Sequence, residues 1–130
     1  MAAALAAAIS FSQVPPGIEE PLSAEPGDAA RGRKIVLDHA LSACVLCHEV
    51  PDNEGPAGNI GPSLAGVGAR FSARELRLRI VDSTRLNPNS VMPPYFRTTG
   101  LNRPASERGG RPVLNAQQVE DVVAYLRTLK

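Results

Sequence analysis

The chain has 130 residues, a formal net charge of +1, two cysteines, no tryptophan and few other aromatic residues. A length of this order makes one small domain, and a near-neutral charge argues against a nucleic-acid binder and gives no reason for an anionic membrane as partner. A core this small is short of apolar bulk, which a large buried cofactor would supply.

Met1 to Ser12 is uncharged, alanine-rich and too short to span a bilayer as a helix. It reads either as the remnant of a secretory signal, with small residues Ser10 and Ser12 before Gln13, or as a disordered tail. Residues 13–27 carry Pro15-Pro16, Glu19-Glu20, Pro21 and Pro26 with no period of 2 or 3.6, as expected of an extended Pro/acidic arm, free or lying against a partner. A single folded domain is expected over 28–130. Asp28 after Gly27 is a good N-cap, and a first helix should run from Ala29 to about Ser42 with Ile35 and Val36 on its apolar side. Gly32 inside it costs about 1 kcal/mol against alanine. It marks either the close approach of another helix or a tolerated surface glycine.

Residues 49–62 form a loop rich in Pro, Gly and Asn. The run Ser72-Ala73-Arg74-Glu75 has the form of a capping box, with Leu76, Ile80 and Val81 on one face of the helix it opens and Asn87-Pro88 beyond its end. Residues 87–114 hold five prolines and three glycines and should be mostly irregular. A last helix opens at Asn115, with Gln118 three residues on, and Val119, Val122, Val123, Leu126 and Leu129 recur at helical spacing. No strand is evident. The reading is an all-α domain of about three main helices joined by long irregular loops.

Both cysteines fall in Cys44-Val45-Leu46-Cys47-His48. Cys-x-x-Cys-His is the attachment pattern of c-type haem. Two thiols three positions apart can each add to a haem vinyl group, and the histidine that follows is then held under the porphyrin with a ring nitrogen aimed at iron. Two competitors need the same residues. The cysteine pair could close a small disulfide in an oxidising compartment, or act as a thioredoxin-like redox pair, although that motif is expected near a βαβ pattern and no convincing strand is present. A zinc site recruiting His39 would have its extra ligand upstream, against the usual spacing.

An electron-transfer haem carries a ligand on each face of iron, and Met92 in Ser90-Val91-Met92-Pro93-Pro94-Tyr95-Phe96 is the candidate for the second. The prolines cannot join a helix, so the segment should be a stiff loop able to hold a thioether against iron. Its rivals are ordinary core packing for Met92 and ligation by His39, which lies in the helix before the motif and is poorly placed to reach the opposite face. Pro62 offers a backbone carbonyl to the second ring nitrogen of His48, fixing its tautomer. Haem c is attached outside the cytoplasm, so the motif points to the periplasm. The basic residues are almost all arginine, with only Lys34 and Lys130 as lysines, which suits fixed contacts to carboxylates such as propionates or an acidic partner.

In the order of these features the chain resembles a class I cytochrome c, although that fold often has a tryptophan that is absent here. Over residues 28–130 it also resembles the SoxX family. Gly58-Asn59-Ile60-Gly61-Pro62-Ser63-Leu64, Asn87-Pro88, Met92-Pro93 followed by Tyr95, and Gln117 to Leu126 carry the likeness. SoxX proteins are the monohaem subunits of the SoxAX cytochromes of bacterial sulfur oxidation. The resemblance implies a periplasmic heterodimer with a SoxA-like cytochrome subunit, an L-cysteine S-thiosulfotransferase that joins thiosulfate to a cysteine of a SoxYZ-like carrier protein. It implies thioether bonds to one haem c at Cys44 and Cys47, and axial ligation by His48 and Met92. The reactive cysteine would belong to the partner, so no catalytic residue is expected here, and electrons would leave to a soluble acceptor such as another cytochrome c. The arm and the 97–114 loop would offer docking surface. The alternatives are a free-standing monohaem shuttle and a haem sensor or peroxidase-like enzyme, which would need an open or exchangeable distal site and, for a peroxidase, an acid-base side chain there.

Overall fold

Apolar side chains recur at helical spacing along three stretches, and each forms a helix in the computed structural model, which describes residues 9–13, 15–97 and 111–130. Helix α1 spans Ala29–Leu37, with Asp28 as N-cap accepting the Arg31 amide at 2.8 Å. It stops short of the expected Ser42. The Asp38 carboxylate accepts the Ala40 and Leu41 amides at 2.8 and 3.0 Å and its backbone turns extended, offering the chain a local alternative to the helix. A single-turn helix α2, Val67–Arg70, was not signalled by any periodicity. Helix α3, Ala73–Asp82, buries Leu76, Ile80 and Val81 as expected, but Ser72 donates to the Glu75 side chain at 3.0 Å instead of capping a backbone amide. In helix α4, Ala116–Thr128, the capping box does form: Gln118 N donates to Asn115 Oδ1 at 2.8 Å and Asn115 N to Gln118 Oε1 at 2.9 Å.

Helices α1 and α4 cross to build the core, where Ile35 and Val36 join Val119, Val122, Val123 and Leu126. Each such side chain contributes roughly 1.5–3 kcal/mol by leaving water. Gly32 sits at the crossing. A Cβ there would overlap the Asp121 carbonyl and press on Tyr125, so close helix approach is the reason for this glycine.

The expectation of no strand is corrected by one small hairpin. Strands β1, Phe11–Gln13, and β2, Pro16–Ile18, pair antiparallel with Phe11 opposite Ile18. Three-residue strands are too short to show a period, and their support comes from far along the chain. Arg77 Nη1 donates to Ile18 O at 2.8 Å, Arg74 reaches Pro15 O and Glu19 Oε1 at 2.7 and 2.6 Å, and Leu22 N donates to Glu120 Oε2 at 3.1 Å. Ile18 is fully buried. The arm therefore lies on α3 and α4 of its own chain. Beneath it Arg77 and Glu120 form a bidentate pair at 2.8 Å with both side chains 6% exposed. Among the described residues five arginines, Arg31, Arg33, Arg74, Arg77 and Arg97, pair with carboxylates of the same chain, so much of the arginine bias serves the fold. No helix among the described residues is long and apolar enough to cross a membrane. Residues 1–8 of the signal-or-tail segment and 98–110 of the docking loop lie outside the described residues.

Candidate haem site

After the Asp38 turn the backbone passes through Ala43 in the left-handed region, φ 57°, and enters a short 3-10 turn at Cys44–Leu46. This turn buries Cys44, leaves Cys47 half-buried and brings the His48 amide to Cys44 O at 2.9 Å. The following loop folds back on the motif. Gly58 N donates to Val45 O at 2.9 Å, Gly61 N to Cys47 O at 2.8 Å, and Leu64 N to Glu49 O at 2.8 Å.

The loop brings Pro62 O to 2.6 Å from His48 Nδ1. A carbonyl only accepts, so Nδ1 carries a proton here, and in the neutral imidazole that tautomer leaves the lone pair on Nε2. Gly61 lies flat against the imidazole, where a Cβ would overlap ring atoms of His48.

These groups form one wall of a cleft of about 530 Å³, and Asn87 with residues 89–93, half-buried Met92 among them, forms the other. Cys44, Cys47, His48, Pro62 and Met92 thus all meet at one cavity. His39 does not. It is exposed in the turn after α1, outside the helix in which it was expected and away from the cleft. Among the described residues no three His, Cys, Asp or Glu side chains are grouped to hold a metal ion, and Cys44 and Cys47 are not joined to each other by a disulfide. A second hollow of about 600 Å³ within the 49–63 loop holds none of the predicted ligands.

The cleft fits a flat apolar cofactor. Three large hydrophobic side chains stay exposed among the described residues, Leu46 at 58%, Ile60 at 72% and Val91 at 79%, and all three line it. Apolar surface gathered around a groove marks a binding site. Among the described residues no Asp, Glu, Lys or Arg side chain lines the cleft. Its inner end is closed by Ser42 and Tyr95, the Tyr95 hydroxyl donating to Ser42 O at 2.5 Å. Burial pushes the Cys44 thiol above its ordinary pKa, and burial and then Cys44 do the same to the Tyr95 phenol.

Residues 29–130 match the sequence model of the cytochrome c family. The chain belongs to that family. Family membership implies a covalently bound haem c. Among curated proteins, this cytochrome is 33% identical over 104 residues to cytochrome c4 of Stutzerimonas stutzeri, a match covering 80% of the chain but only 42% of that relative's length. Among solved structures it is similar to a chain in the crystal structure of SoxXA from P. pantotrophus, with a TM-score of 0.81, 35% identity and 94% of each chain covered. This cytochrome is therefore SoxX-like, with the mostly helical class I cytochrome c fold.

Sequence reasoning missed three features of the site. The clearance that Gly61 gives His48 was visible only as a Gly-Pro step. Tyr95 had a weak signal in its place behind two prolines, and Ser42 had none, because its role comes from contacts with residues remote in sequence.

Proposed function

We propose that this cytochrome is the monohaem electron-transfer subunit of a periplasmic thiosulfate-oxidising complex of the SoxXA kind. What carries this reading is the extent of the structural likeness. The family match begins at residue 29, whereas the likeness to the SoxXA chain takes in 94% of this chain and so most of the segment that precedes the cytochrome domain. In this reading Cys44 and Cys47 hold haem c by thioether bonds, and His48 Nε2 and the Met92 thioether are its axial ligands. Bound haem c supplies a one-electron carrier. The chain's own residues set its properties. The Pro62 carbonyl holds the His48 tautomer and orientation. Met92 offers a soft, neutral donor that favours ferrous iron and raises the reduction potential. Leu46, Ile60 and Val91 keep water from the cofactor faces.

Both cysteines lie in the attachment motif. The thiol that receives thiosulfate must then come from a SoxA-like cytochrome subunit, and the complex acts as an L-cysteine S-thiosulfotransferase on a SoxYZ-like carrier. This chain relays the released electrons to a soluble acceptor such as another cytochrome c. Co-expression with a cysteine-ligated haem subunit tests the reading. A stable heterodimer whose His/Met haem is reduced only when thiosulfate and carrier are both present is expected. A stable monomer with full shuttle activity and no affinity for the subunit would instead support a free-standing electron shuttle.

A further inference from the structure

Met92 sits in a loop with few ties of its own. Its amide donates to Ser90 Oγ at 3.3 Å, and Ser90 Oγ shares a hydrogen bond of 2.9 Å with Ser83 Oγ. Pro93 and Pro94 follow, each with φ locked near −65°, so residues 92–95 move as a strut. The strut ends at Tyr95, which is anchored in three directions. Its amide donates to Ile80 O of α3 at 3.1 Å, its carbonyl accepts the Leu114 amide at 3.0 Å, and its hydroxyl donates to Ser42 O at 2.5 Å. Ser42 is 2% exposed and belongs to the other wall of the cleft. Its hydroxyl donates to Ile35 O at 2.6 Å and accepts the Cys44 amide at 3.4 Å. One phenol therefore joins the methionine loop to the turn that carries the first cysteine.

We propose that Tyr95 is a positioning residue that latches the Met92 loop to the Cys44 turn, so that Met92 leaves the cleft only when the Tyr95–Ser42 hydrogen bond breaks. The proposal rests on the reading of Met92 as the distal ligand. A tyrosine that merely filled the core would stabilise the whole fold and leave the opening of this one loop unchanged. A latch links its hydroxyl to the loop's opening equilibrium.

The test uses full-length holoprotein and imidazole, which binds iron only where Met92 has moved away. Tyr95→Phe keeps the ring and deletes the hydroxyl. Its apparent imidazole affinity should rise about three- to tenfold, the change that losing one buried hydrogen bond makes in an opening equilibrium. Tyr125→Phe is the control. It deletes a hydroxyl that donates to Asp52 Oδ2 at 2.6 Å, away from the cleft, and should leave imidazole affinity unchanged while lowering thermal stability. Should Tyr95→Phe fail to yield holoprotein, Pro94→Ala reads the same equilibrium by loosening the strut, and it too should tighten imidazole binding. Parent-like affinity in the variant, or an equal rise in Tyr125→Phe, overturns the latch. If the oxidised parent lacks a sulfur-to-iron charge-transfer band, the Met92 assignment itself fails. A band present in the parent with no response in the variant removes the latch alone.

Discussion

The wall of the cleft that carries His48 is closed by bonds within a short run of chain. Residues 44–64 tie themselves together through Gly58 N to Val45 O, Gly61 N to Cys47 O, Leu64 N to Glu49 O and His48 Nδ1 to Pro62 O. The wall that carries Met92 is strung between distant supports, with Ser90 on Ser83 and Tyr95 on Ile80, Leu114 and Ser42, the last 53 residues away in sequence. A segment held by many local bonds opens as a unit, whereas one held at its ends opens when an end lets go. The His48 side therefore behaves as a rigid platform and the Met92 side as a hinged cover.

Met92→Ala is the largest test of this contrast. It should abolish the sulfur-to-iron band of the oxidised protein. The reduction potential should fall on the order of 0.1–0.3 V, a fraction of the roughly 0.8 V that axial ligands span. Far-ultraviolet circular dichroism should stay at the parent value, since only a half-buried side chain on the cover is shortened. An unchanged potential would mean that the cover holds no ligand. Gly61→Ala attacks the platform. The added Cβ meets an imidazole that Pro62 O holds in place, so the holoprotein should lose about 1–3 kcal/mol, the usual result of overpacking. The charge-transfer band should survive in the cooled, folded variant. A parent-like melting curve would show that the His48 wall yields as readily as the Met92 wall.

The same contrast explains what could be read from the sequence. Cys44, Cys47 and His48 stand out in the sequence because the Cys-x-x-Cys-His pattern has a fixed spacing, and Pro62 because it follows within one loop. Met92 stands out through the two prolines behind it. Helix α4 is legible because its capping box and apolar face both lie inside the helix. What escaped was decided by distant or competing partners. The Asp38 carboxylate cut α1 short, and Glu75 drew the Ser72 hydroxyl away from its cap. Arg74 and Arg77 recruited the N-terminal segment across nearly 60 residues, with 59 between partners in Arg77 to Ile18. Tyr95 gains its role from three supports of which no local pattern gives notice.

The smallest expected effect asks whether the platform depends on the helix crossing beneath it. Asp121 on α4 accepts from the Asp28 amide at 2.8 Å, from Arg31 Nε and Nη2 at 2.9 and 3.1 Å, and from Gln117 Nε2 at 3.0 Å. Burial pulls its pKa upward, but these donors outweigh it and hold the carboxyl below the ordinary value of about 3.9. A folded-state pKa below the unfolded one stabilises the fold at pH values above about 4, and the contribution is lost as pH falls through the folded value. Arg31 is half exposed, which keeps the pair's share small. Asp121→Asn should therefore lower the Tm by a few degrees at neutral pH, and the gap to the parent should close as pH drops below about 4. The Met92 band should be intact in the variant at neutral pH, because none of the cover's supports, Ser83, Ile80, Leu114 and Ser42, is a partner of Asp121. A gap that stays constant from neutral to acid pH would assign the loss to packing, and a weakened band would show that the crossing supports both walls alike.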